Sequence, residues 1–310
     1  MERLRPMEVS WIQEEVPGLE RASRMVPLTK GFSSDRKYIV YDAADRPVYV
    51  VRTAEIGKEE AKRREFEVVG RAAAAGVRTP APVAFFMLEE RRICGMVLEY
   101  AEGTDASEAL PLLSGDEQYA AGMAAGRELR LLHTIGAPEG MRPWHLLREA
   151  KHRRQWQAYR ECGVKLPAEE AVERYIEAHL PLMKGRPNGF QHDDFHPANL
   201  LIASGSYAAV IDFNRFDWGD PYHDFLKIAY FSREVSVPFS IGQIHGYFDG
   251  RVPEPFWKLY ALYTAMILGG TITWTLQVVP EQLPSMMDRI RVVLEDHRHF
   301  ECAVPLWYEE

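Results

Sequence analysis

Cysteine is scarce: Cys94, Cys162 and Cys302 are the three among 310 residues, and no CxxC occurs. An odd, scattered set signals neither a disulfide framework nor a zinc site. A basic excess is missing as well. The formal charge of −8 argues against nucleic-acid binding, which draws its affinity from basic residues facing phosphates. The opening MERLRPMEVSWIQEE has charges but no apolar centre, so no signal peptide is expected and a reducing cytoplasm is the expected setting. Only one long uncharged run is present, residues 259–280. It carries four threonines, a glutamine and Gly269-Gly270, and reads as a buried core helix rather than a membrane span. Internal repeats, low-complexity tracts and a GxGxxG loop are all lacking.

What is present is an ordinary globular mixture, 46% hydrophobic and 26% charged, in a chain long enough for two associated domains. Charge is unevenly spread. Residues 1–101 balance to +1 and residues 102–310 to −9, which suits a cationic small-molecule ligand in the rear part.

The hydropathy rhythm divides the chain similarly. Residues 1–25 read as an N-terminal helix ended by Pro17-Gly18. Short β-branched and aromatic runs follow at 25–28, 37–41, 48–53, 83–88 and 93–100, separated by polar turns, as antiparallel strands require. Between the third and fourth lies the charged, alanine-rich stretch 56–75, stopped by Gly76, which reads as a helix. Beyond Glu102-Gly103 the period is helical except for an island at 188–224. The expected fold is α+β: an N-terminal sheet domain over 1–101, a boundary at 99–103, and a helical domain over 102–310. A cleft shared by the two is the expected ligand site.

The island carries the chemistry. Residues 190–225, FQHDDFHPANLLIASGSYAAVIDFNRFDWGDPYHDF, hold six aspartates and three histidines beside apolar strand signals. Carboxylates in apolar surroundings need a partner, and a cation is the economical one. Oxygen donors suit Mg²⁺, which shares its ligands with substrate phosphates. His192-x-Asp194-x-x-x-x-Asn199 has the histidine, aspartate and asparagine spacing of a kinase catalytic loop. Thirteen residues on, Ile211-Asp212-Phe213 adds a carboxylate at a strand end, where a second Mg²⁺ ligand belongs.

Taken together, HDDFHPANLLI followed by VIDFNRFDWGDPYHDF resembles the aminoglycoside phosphotransferase and choline kinase-like family. Weaker matches are GFSSDRKYIV to the family's phosphate loop, VYVVR to its third strand, REFEVV and GVRTPAP to the helix and strand that follow, and VLEYAEG to its hinge. The resemblance implies a two-lobed protein-kinase-like fold and transfer of the γ-phosphate of ATP or GTP to a small molecule's hydroxyl. Asp194 is then the catalytic base, His192 braces its loop, and Asn199 and Asp212 hold Mg²⁺. Arg52 with Glu65 (or Glu60), Ser33, Ser34, and the hinge residues Glu99 and Ala101 meet the nucleotide, while Asp220 steadies the catalytic loop.

Three departures stand out. Asp193 replaces the family's glycine after the first histidine, Arg52 replaces its third-strand lysine, and the phosphate loop has the single glycine Gly31. By resemblance the leading acceptor is an aminoglycoside or related cationic antibiotic. A choline- or ethanolamine-like amino alcohol, a macrolide and a sugar are the alternatives within the class. A nucleotide-holding regulatory protein without turnover is the alternative outside it. Neither a nucleic-acid nor a membrane partner is expected.

Overall fold

A computed structural model describes residues 10–19, 22–29 and 35–308. They form two compact units. The first runs to Gly103 and also takes in Ala208–Asn214; the second holds Thr104–Tyr207 and the chain from Arg215 onward.

In the first unit a short helix α1 (Ser10–Glu15) precedes strands β1 (Arg24–Leu28), β2 (Arg36–Tyr41) and β3 (Pro47–Glu55). Helix α2 (Glu59–Ala74) and strands β4 (Pro82–Leu88) and β5 (Ile93–Glu99) follow. The sheet order is β1-β2-β3-β5-β4, with every pairing antiparallel. Alternation along the strands gives one face an apolar set, Val40, Val51, Phe86 and Val97, and α1 with its exit adds Ile12, Val16 and Leu19 to that core. The helix expected over 1–25 is thus confined, among the described residues, to one short turn-and-a-half, and Gly18 at φ 86° ends the segment. Helix α2 tolerates its many charges because alanine favours helix and Glu59–Arg63 and Glu60–Arg64 pair one turn apart. Its buried residues include Val68, Val69 and Ala72, and Gly76 at φ 86° closes it.

The second unit opens with β6 (Thr104–Asp105) and α3 (Ala106–Ala109), too short for the sequence rhythm to reveal. Then come α4 (Gly115–Leu132), α5 (Trp144–Glu161) and α6 (Glu169–His179). Four short strands make up the island: β7 (Gly189–Gln191), β8 (Leu200–Ala203), β9 (Ser206–Val210), whose last three residues belong to the first unit, and β10 (Asp217–Gly219). Helices α7 (Arg233–Val235), α8 (Val237–Phe248), α9 (Glu254–Val278) and α10 (Leu283–Asp296) complete the chain. Ser114 and Glu117 start α4 with a reciprocal capping box. Helix α9 is long and apolar enough to cross a membrane by length and composition, yet its residues are mostly buried, packed against α5, α6 and α10.

The tightest packing is between α4 and α8. Gly122 and Gly126 on α4 face Gly242 and Gly246 on α8, each pair spaced four residues apart on one helix face. A Cβ on Gly126 would stand 2.1 Å from the Gln243 carbonyl oxygen, and one on Gly246 would stand 2.1 Å from that of Met123. Backbone lies against backbone there, so no side-chain shift can relieve the clash. Gly126→Ala is therefore expected to cost about 1–3 kcal/mol or more through overpacking, read as a fall in the urea midpoint. Gly115→Ala on the same helix, where the Cβ position is open space, is the control expected to change little.

Candidate active site

The loop after β7 carries the first set of functional side chains. Strand β7 pairs antiparallel with β10, Gln191 opposite Asp217 and Gly189 opposite Gly219, which fixes where the loop begins. Two consecutive backbone amides, those of His192 and Asp193, donate to the Asp224 carboxylate at 2.8 Å each. His133 Nε2 lies 3.0 Å from the same carboxylate. Asp224 is 1% exposed, so these partners carry the whole burden of keeping a charge away from water. Asp193 occupies the left-handed region at φ 55°. That explains why the family pattern has glycine there, and aspartate is among the few other residues that enter this region at small cost. Its side chain is turned to His223, 3.4 Å away, and is not simply solvated.

Asp194 follows in a more open position. Asn199 Nδ2 donates to its backbone oxygen at 2.9 Å and to its Oδ2 at 3.0 Å, and Lys227 Nζ donates to its Oδ1 at 2.9 Å. His196 Nε2 is 3.4 Å from Oδ1 and Arg215 Nε 3.8 Å from Oδ2. Burial acts to raise the Asp194 pKa, but the His196 contact and the Lys227 ammonium outweigh it and hold the carboxyl well below the usual range. The bond to Asn199 uses that residue's amide nitrogen, which reserves its amide oxygen as an acceptor. Lys227 sits just before a π-helical turn, Ile228–Ser232, whose Phe231 ring stacks on His196 at 4.6 Å between centroids.

The second set lies in the first unit. Arg52 on β3 donates through Nη1 to Glu65 on α2 at 2.6 Å and through Nη2 to Asp35 at 3.1 Å, with Nη1 3.3 Å from Asp212 Oδ1. Lys62 on α2 donates to Glu65 at 2.8 Å and also to Asp35. Lys37 on β2 donates to Asp212 Oδ2 at 3.0 Å. Three cations and three carboxylates therefore compensate one another. Burial opposes the Arg52 charge, yet Glu65, Asp212 and Asp35 overcome it and raise its pKa. Asp212 is at φ 66°, a second aspartate in the left-handed region.

The residues singled out in the sequence fall as follows. Asp194 and Asn199 are in direct contact, and His192 is anchored through its backbone. Arg52 meets Glu65, whereas Glu60 is an exposed partner of Arg64. Asp212 joins the Arg52 group. Glu99 ends β5, opposite Tyr49, and donates its amide to Ala81. Ala101 lies beyond the strand, and its amide makes no backbone hydrogen bond among the described residues. Ser33 and Ser34 lie outside the described residues. The carboxylate that holds the loop amides is Asp224, while Asp220, expected to steady the loop, accepts at its backbone oxygen from the Gln191 side chain just before it, at 2.6 Å. The Asp220 carboxylate takes a bidentate grip from Arg186, at 2.6 and 2.7 Å, and a 2.6 Å bond from Tyr263. Missed by the sequence reading were Lys37, Lys62, Lys227, Arg215 and His133. A lysine on a charged helix or after an aromatic run gives no signal, whereas Asp224 lay within the GDPYHDF motif.

The family implies Mg²⁺. Asp212 in the first unit offers carboxylate oxygens, and Asn199 in the second offers an amide oxygen; each is the hard oxygen donor that Mg²⁺ takes. The donor chemistry of each residue fits an ion that shares its ligands with substrate phosphates. Among the described residues no group of three or more His, Cys, Asp or Glu converges as a transition-metal site would need.

Comparison with known proteins agrees with this architecture. Residues 24–257 match the model of the phosphotransferase enzyme family, and the chain belongs to that family. It is a phosphotransferase with a protein-kinase-like fold. The solved gentamicin–APH(2")-IIa complex is similar at 16% identity and a TM-score of 0.66, over 94% of this chain and 97% of that one. The GDP complex of aminoglycoside 2'-phosphotransferase-IIIa gives 12% identity and 0.68, over 94% and 98%. A thermostable APH(4)-Ia mutant with AMP-PNP and hygromycin B gives 17% and 0.67, over 94% and 98%. A search among curated proteins gives no significant match.

Two outcomes follow for this loop. Asp224→Ala strands two buried amides and is expected to destabilise the protein by about 3 kcal/mol or more in urea unfolding. Asp194, held below its ordinary value, contributes stability that is present above about pH 3.9 and lost as the pH falls further toward its folded value. A carboxyl NMR titration between pH 7 and pH 4 should therefore find Asp194 ionised throughout.

Proposed function

We propose that this phosphotransferase moves the γ-phosphate of ATP or GTP to a hydroxyl of a small molecule, with Asp194 meeting that hydroxyl. The observation that carries the reading is the Asp194 carboxylate held by Asn199 at the kinase-loop spacing, in a chain of the phosphotransferase family. A carboxylate this acidic is a weak base at neutral pH. Its first task is to orient the hydroxyl by accepting its hydrogen bond, and it takes the proton late, once the oxygen bonds to phosphorus. Asn199 fixes the carboxylate plane, and Lys227 and Arg215 offset its charge while the acceptor approaches. His192 braces the loop through its backbone and performs no proton transfer.

Asn199 and Asp212 are the residues that would hold Mg²⁺, which when bound neutralises phosphate charge and leaves the diphosphate a better leaving group. Arg52 with Glu65, the phosphate loop with Ser33 and Ser34, and the hinge at Glu99 and Ala101 complete the nucleotide side, within residues 1–101. The acceptor side falls to residues 102–310. We place the enzyme in the cytoplasm, where nucleoside triphosphates are abundant.

An aminoglycoside or related amino-bearing antibiotic is the acceptor we favour. The support is that structures of this fold include aminoglycoside phosphotransferases and that the rear part of the chain is acidic. Turnover of ATP and GTP with Mg²⁺ against aminoglycosides, amino alcohols, macrolides and sugars tests both levels. Asp194→Asn should lower kcat by at least about 100-fold while nucleotide affinity stays near wild type. Undiminished turnover by that variant would remove Asp194 from the chemistry. Turnover confined to a non-cationic acceptor would overturn the substrate assignment alone.

A further inference from the structure

The third-strand position that the family fills with lysine is filled here by a buried arginine whose two terminal nitrogens already face three carboxylates. Arg52 is 5% exposed, and its two terminal nitrogens are taken by Glu65, Asp35 and Asp212. For a phosphate to reach it, buried carboxylates must first be displaced from a matched guanidinium, which is costly. Lys62 is in the same position, its 9% exposed side chain shared between Asp35 and Glu65.

Lys37 differs from both. Its ammonium has one carboxylate partner among the described residues, Asp212 at 3.0 Å, and its side chain is 14% exposed. An ammonium offers three donors, so two remain for further oxygens. In the antiparallel register Lys37 stands directly opposite Arg52, so both side chains leave the same face of the sheet. That face is the one where Asp212, proposed above to hold Mg²⁺, is met by both cations.

We propose that Lys37 on β2 is the phosphate-contacting lysine of this chain, and that Arg52 on β3 is a positioning residue that locks Asp35, Glu65 and Asp212. The assignment rests on the kinase reading above. Among the described residues three cations face three carboxylates in the group, so an incoming triphosphate adds negative charge to it. Lys37 is the cation that can answer it at the loss of a single partner.

The test compares wild type, Lys37→Met and Lys37→Arg by calorimetry with Mg²⁺. The probes are adenosine and its non-hydrolysable triphosphate AMP-PNP, with guanosine and its analogue GMP-PNP in parallel. Loss of a charge-assisted contact to phosphate should weaken the triphosphate by about tenfold or more and leave the nucleoside within about twofold. Lys37→Arg, which keeps the charge, should recover part of the loss. Equal triphosphate affinity in wild type and Lys37→Met overturns the assignment and leaves the kinase reading standing. An equal loss for nucleoside and triphosphate shows a merely structural lysine and also overturns it. A wild-type protein that binds no triphosphate of either base overturns the kinase reading and this assignment with it.

Discussion

Two backbone amides and one buried carboxylate hold the loop after β7 in shape. Asp224 accepts the N–H groups of His192 and Asp193, and the next residue is Asp194. The charge is desolvated, so each hydrogen bond is stronger than in water, and losing one leaves a buried group unsatisfied. The left-handed turn at Asp193 depends on this anchor, because the backbone there leaves the region ordinary residues prefer. Once the turn is made, Asp194 emerges beside Asn199 and Lys227. The loop is thus rigid at its root and chemically available at the next residue.

The first unit shows the same economy with a different balance. Arg52, Lys62 and Lys37 face Asp35, Glu65 and Asp212. A lone charge at such depth would cost several kcal/mol, on the order found for buried ions, so the group exists only as a compensated set. Exchanging lysine for arginine at position 52 changes what that set can do. A planar guanidinium bridges three carboxylates at fixed angles, where an ammonium would leave donors for a ligand.

Much of this was legible in the residues themselves. Alternating β-branched runs at 37–41, 48–53 and 93–100 specify strands because half of each must be buried, and the sheet contains them. The H-x-D-x-x-x-x-N spacing identified Asp194 and Asn199, which touch, because loop geometry demands fixed separations. Arg52 and Glu65 could be paired from a strand and a helix in the family pattern. What stayed hidden depends on tertiary proximity. The order of Asp220 and Asp224 within GDPYHDF does not reveal which carboxylate faces the loop. Lys37 and Lys62 look like surface lysines until the fold turns them inward. Gly122, Gly126, Gly242 and Gly246 sit in unremarkable helical sequence, and only the approach of two backbones gives them meaning.

Phosphorus NMR on a reaction with γ-labelled nucleoside triphosphate, Mg²⁺ and the acceptor panel tests the account most directly. The prediction is a new phosphate monoester on an acceptor hydroxyl, formed in equal amount with the nucleoside diphosphate. Label recovered only as inorganic phosphate, or remaining on the nucleotide with every acceptor class, would contradict it.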